Sequence, residues 1–252
     1  MLELDTNLPR GTLCAAHPSA VSSDLTGALW WHGSAAQMEQ DPNTGAVSRW
    51  QAFDGGPPAL PTEPNSGNGQ IGQVDDLFGL QCRAGTHCGV VAQDVAPDAA
   101  TATIAVRFYT PPGEDARTLF ALNAPGAGNY VFLSEAGGVL TAKDDQGRAE
   151  VTLPCTDIDA PHLAIVSLHG DRLALALGRE RVDMHARDLI LTGSASLFIG
   201  CRNQRPRLLK TLGAALILDV WLFPGRALLH EDTEQEAKAL TALNRHHLWA
   251  AA

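Results

Sequence analysis

The chain has 252 residues, 45% hydrophobic and 18% charged, with a net charge of −10. That balance excludes a disordered chain, and the acidic sign argues against nucleic acid and anionic membranes, which call for a basic face. No run approaches the ~18 apolar residues of a membrane span, and five scattered cysteines do not make a disulfide framework.

Residues 1–25 read as an irregular N-terminal arm, broken by Pro9, Gly11 and Pro18. The first residues carry acids where a secretory leader needs cations, so synthesis in the cytoplasm without a signal peptide is expected. Residues 26–252 read as one domain. "GALWWHGS" opens it as a short strand, with Trp30 and Trp31 on opposite faces, one in the core and the other exposed. Residues 54–73 are rich in Pro and Gly and predict a long surface loop without helix or strand. Cys82 and Cys88 flank His87 in "CRAGTHC"; without a second pair at ligand spacing, reduced, partly buried thiols are the better expectation than a metal.

From residue 102 the pattern becomes regular. "ATIAVRFYT" and "RTLFALN" predict strands, and "NYVFLSE", "GVLTAKD" and "RAEVTLP" predict a three-strand meander divided by turn residues. "HLAIVSLHGDRLALALGRERV" predicts a hairpin turning at Gly170-Asp171, with Leu173, Leu175 and Leu177 on one face. "ASLFIGC" and "ALILDVWLF" are further strands. The latter places Leu216, Leu218, Val220 and Leu222 on one face, and Ile217, Asp219, Trp221 and Phe223 on the other. Both faces are apolar, so a central strand covered on both sides is expected. Asp219 then needs partners, either backbone amides or an arginine from a neighbouring loop, with a catalytic or ligand role as the alternative. "HEDTEQEAKALTALNRHHLW" predicts the one helix. Thr233 and Glu236 have capping-box spacing, acids fill its first turn, and His246 and His247 sit in its last turn. Adjacent on a helix, the two histidines point apart. The fold class is therefore all-β, an antiparallel β-sandwich with a short C-terminal helix.

The succession "SLFIG", "CRNQRPRLLKTL", "GAALILDVWLFPGRAL" resembles the C-terminal half of laminin-G-like domains of the concanavalin A-like lectin/glucanase superfamily. "TLFAL", the hairpin at 162–182, "GAVSRWQAFDGG" and the closing helix are similar to that family's segments in the same order, so the likeness runs from about residue 26 to 249. It implies a jelly-roll sandwich and a role in ligand recognition. It also implies calcium as the ion to look for. Asn123, Asn129, Asp144 and Asp145 lie in loops that could supply its oxygen ligands, although Asp and Asn are also ordinary turn residues.

The superfamily's glucanases carry Glu-x-Asp-x-x-Glu on one strand, and that motif is absent. G-x-S-x-G, P-loop, G-x-G-x-x-G and H-E-x-x-H patterns are absent too. The expectation is a non-enzyme: a carbohydrate- or receptor-binding adhesion module, set in a spike or fibre of a phage or phage-like particle released by lysis. Its partner would be a cell-surface glycan or receptor, in a homo-oligomer or larger assembly, with neither nucleic acid nor membrane insertion. A sugar needs an aromatic platform with fixed polar groups, for which Trp30, Trp31, Trp50, Asp54 and Tyr130 are the candidates. The alternatives are a polysaccharide lyase or hydrolase of the same fold, and a structural assembly protein.

Overall fold

A computed structural model of the chain describes residues 21–62, 68–156, 160–186, 189, 191–203 and 209–250. Alternating apolar residues along short strands need two buried faces to meet, and two antiparallel sheets supply them. Numbered along the chain, the first sheet runs β15 (Glu180–His185), β14 (Arg172–Leu177), β13 (His162–His169), β8 (Thr101–Tyr109), β17 (Ala215–Pro224), β6 (Leu77–Cys82), β5 (Gln70–Val74), with β1 (Leu29–His32) also paired to β17. The second runs β12 (Glu150–Pro154), β11 (Val139–Asp144), β10 (Tyr130–Ala136), β9 (Arg117–Asn123), β16 (Ala195–Ile199), β7 (Val90–Ala96), β4 (Leu60–Pro61). A separate ribbon pairs β2 (Met38–Gln40) with β3 (Val47–Trp50). The helix α1 spans Glu234–Ala250. Among the described residues no helix is long and apolar enough to cross a membrane.

The meander is present as β10–β11–β12, and the hairpin as β13–β14 turning at Gly170 with φ +61°. Leu173 and Leu175 face the core between the sheets, whereas Ala174 and Ala176 face outward under α1. α1 begins as predicted at Thr233, whose Oγ1 accepts the Glu236 N–H at 3.2 Å. The reciprocal half of the capping box is absent, because the Glu236 carboxylate instead accepts from Arg226 Nε at 3.1 Å.

Three expectations change. The 54–73 segment is not strand-free: β4 and the first part of β5 lie within it, short enough to place Pro61 at a sheet edge, while residues 63–67 lie outside the described set. The phase of β17 is not constant. Its register against β8 shifts between Ile217 and Asp219, so Leu218 is an extra residue and the alternation flips there. Ile217, Val220 and Leu222 therefore share the inter-sheet core, and Trp221 and Phe223 pack under α1. Nor is one of the paired tryptophans exposed. Trp31 fills the inter-sheet core and Trp30 the layer beneath α1, because this sheet is covered on both sides.

β17 has β8 on one edge. On the other edge β6 pairs its first half and β1 its second. The handover occurs at Gly33 and Gly79. A Cβ on Gly79 would lie 2.2 Å from the Ile217 carbonyl oxygen, and one on Gly33 2.2 Å from that of Phe78. Only a residue without a side chain permits three backbones to meet so closely.

Candidate functional site

Asp219 faces α1 because the bulge turns it there. Its cross-strand neighbours are Arg107 on β8 and His32 on β1. His32 Nδ1 lies 2.6 Å from Oδ1, which also accepts the Trp30 indole N–H at 3.0 Å. Arg107 donates to Oδ2 at 3.3 Å, and His246 Nε2, from α1, lies 3.2 Å from the same oxygen. Asp219, Arg107 and His246 are all buried. Burial would raise the Asp219 carboxyl, but His246 and His32 beside it more than offset this and hold it well below the ordinary carboxylate range. The expected arginine partner is present, on a strand and not in a loop. The ligand atoms of His32, Asp219 and His246 lie within 4.8 Å of one another, a donor set able to hold a metal ion. Arg107 already supplies the positive charge at that point, so the cluster reads as a satisfied buried carboxylate that ties α1 to two strands.

That tie places the next residue, His247, on a groove. The groove lies where β12 ends, β13 begins and β14 turns into β15, and its lining includes His162, Leu163, Leu177, Arg179, Glu180 and His247. Its volume is about 510 Å³. A second hollow of about 300 Å³ meets it at His162 and reaches Thr110, Glu114, Asp115 and Glu135, beside the β10–β11 turn. Strands of both sheets thus contribute walls. His247 is pushed down to about 4 by burial first, then by Arg107, His162 and His246, so it is a neutral imidazole and not the helix-end cation expected from its position. Glu135 is only 4% exposed, and its oxygens accept the backbone N–H groups of Ala116 at 2.9 Å and Gly138 at 3.1 Å.

The residues singled out in the sequence lie elsewhere. Trp31 and Trp50 are fully buried and Trp30 nearly so. Their N–H groups go to the Pro57 carbonyl (3.1 Å), the His32 carbonyl (2.9 Å) and Asp219. Tyr130 is 5% exposed, packed against Phe132, and its hydroxyl donates to Asp145. Rings packed in this way present no face to a sugar, which corrects the platform expectation. Asp54 lies in a 3-10 turn at Phe53–Gly55, and its side chain is outside the described set. The four residues proposed for calcium do sit near one another. Asp144, however, accepts from Arg148 Nε at 2.7 Å and from the N–H groups of Ala149 (3.1 Å) and Gln146 (3.3 Å). Burial would raise its carboxyl, and Arg148 with those amides lowers it instead. Asn129 donates to the carbonyls of Pro125 and Thr192, and Asn123 pairs with Tyr130 and Ser196 in the sheet. The Asn129 and Asp144 side chains thus close the β9–β10 and β11–β12 turns, with Arg148 as the cation on Asp144. Cys82, Cys88, Cys155 and Cys201 are buried and form no disulfide among the described residues.

Sequence reasoning did not find His162, Arg179, Glu180 or Glu135. They come from separate strands and turns, and no linear spacing marks them. The adjacent pair His246-His247 was the one visible signal.

No family model and no curated protein matches the chain. Solved structures do. Trypanosoma rangeli sialidase matches with a TM-score of 0.55 at 12% identity, over 88% of this chain and 32% of its own. The same sialidase in complex with sialic acid gives 0.55 at 13%, over 86% and 32%. A mutant GH54 α-L-arabinofuranosidase gives 0.55 at 9%, over 81% of this chain and 51% of its own. The chain thus spans about a third of the sialidase and about half of the arabinofuranosidase. At these identities the likeness is one of fold: the β-sandwich is shared, and laminin-G-like domains are not singled out. The expectation of a non-enzyme is corrected here, because the matching structures are those of glycosidases. The missing Glu-x-Asp-x-x-Glu motif marks one arrangement of acids on one strand. Most glycoside hydrolysis uses a suitably spaced pair of carboxyl groups, which separate strands can supply.

Proposed function

We propose that this chain engages carbohydrate in the His162 groove, as the β-sandwich unit of a glycan-processing protein. The observation that carries the reading is the groove itself. It sits at the end of the sandwich, combines the apolar Leu163 and Leu177 with the polar His162, Arg179 and Glu180, and has a volume of about 510 Å³. That is within the ~300–1,000 Å³ of small-ligand sites, and the mixture suits a sugar, whose ring offers apolar C–H faces and a rim of hydroxyls. Resemblance in fold to a sialidase and an arabinofuranosidase supports the same direction.

The test is a glycan panel read in two ways, by binding and by release of reducing ends, on the intact chain and on the Arg179→Ala and His162→Ala variants. Binding that weakens at least about fivefold in both variants supports the groove, since lost hydrogen bonds to a sugar are each worth about 1 kcal/mol or more. Release of reducing ends assigns cleavage to the chain itself, and binding alone assigns it the holding role. Neither binding nor release across the panel removes the proposal.

A further inference from the structure

The charge pattern of the same groove carries a substrate class. Glu135 lines its inner hollow, its carboxylate buried and held by two backbone N–H groups. No cation pairs with it among the described residues. Backbone amides fix such a group without cancelling its charge. Two more acids on the lining, Glu114 and Glu180, are exposed and form no ion pair among the described residues. Asp115 is balanced by Arg117 at 2.7 Å, and Arg179 is the cation on the lining. The local excess is therefore negative, and it lies within a chain of net charge −10. An acidic sugar entering here would meet like charge, with Arg179 the one guanidinium on the described lining, whereas a hydroxyl or an ammonium group would find a fixed acceptor.

We propose that the groove selects neutral and, above all, amino sugars, and turns away uronic and other acidic sugars. The inference rests on the carbohydrate reading of this groove and adds the class of sugar.

Three oligosaccharides of equal length separate the outcomes: a glucosamine oligomer, an N-acetylglucosamine oligomer and a galacturonic acid oligomer. Binding is measured at a mildly acidic pH that keeps the amines charged, at low and high salt. The expected result is that the glucosamine oligomer binds on the order of tenfold more tightly than its acetylated counterpart at low salt, an electrostatic margin that collapses near ~0.5 M salt. The acidic oligomer is expected to show no binding. Because Glu135→Gln could disturb a buried turn, the decisive variant is the exposed pair Glu114→Gln with Glu180→Gln. It should reduce the margin to about threefold or less, while Glu234→Gln on α1, an exposed acid away from the groove, leaves it intact. Binding of the acidic oligomer as tight as that of the neutral one overturns the selectivity, as does a margin unchanged in the double variant. If none of the three binds in any buffer, the carbohydrate reading fails, and the selectivity with it.

Discussion

A carboxylate in the middle of an apolar strand is stable only when every lone pair has a donor, and Asp219 shows how that is met. Arg107 and His32 flank it across the sheet, Trp30 and His246 approach from the α1 side, and burial is more than offset. Asp219→Asn leaves Arg107 buried beside a neutral amide, so a loss of about 3 kcal/mol is expected in urea unfolding. Because the Asp219 carboxyl is depressed in the folded state, its stabilisation is present above the unfolded value of ~3.9 and disappears as pH falls through the folded value. The wild type and the variant should therefore converge as pH falls into the acid range, where Asp219 takes up its proton. His247 behaves with the opposite charge type. Its folded value of about 4 lies below the ordinary 6.5, so the unfolded chain binds the extra proton between those limits. Stability should rise with pH across that window and level off above it, and His247→Gln should flatten the slope. A slope unchanged in the variant would mean that His247 is solvated.

At the scale of elements, β17 organises the first sheet. Its bulge re-aims one carboxylate, and its divided edge joins β1 and β6 in succession. Gly79→Ala should cost on the order of 3 kcal/mol, because the new methyl meets the carbonyl of Ile217 and neither backbone has room to withdraw. Gly170→Ala is the contrasting case. Nothing lies within 4 Å of its Cβ, and the cost is that of φ +61° alone, about 1 kcal/mol. Equal losses in thermal unfolding would show that space is not the constraint at Gly79. The periodicity of β8, β10–β14, β16 and β17 was visible in the sequence because each buries one or both faces. The two-residue β4 was not, since an edge strand so short has no period to read.

For the whole molecule, the buried cysteines report on global opening. Burial pushes the Cys82 thiol well up and raises that of Cys88, and Cys155 and Cys201 are equally enclosed. Alkylation of these four should be slow in the native protein and rise in step with unfolding in denaturant, read peptide by peptide by mass spectrometry. Rapid labelling of any one of them in the absence of denaturant would place a local opening beside it. The same scale governs the ligand. Net charge acts over the Debye length, so the salt dependence of glycan binding reports the field of the whole chain as well as the groove.

Composition and alternation alone were enough to specify an antiparallel sandwich with one capped C-terminal helix. Strand period, turn glycines and capping residues are local properties, and each one is written in adjacent positions. The sequence also showed that Asp219 must find partners. Which partners, and to what end, was decided in three dimensions. Arg107, His32 and His246 are 112, 187 and 27 residues away in the chain. A one-residue bulge turned the carboxylate toward the helix, which covers Trp30, while Trp31 and Trp50, also expected to greet a sugar, fill the core between the sheets. The groove is likewise a product of assembly. Its walls are the ends of strands from two sheets, whose distance in sequence carries no periodic trace.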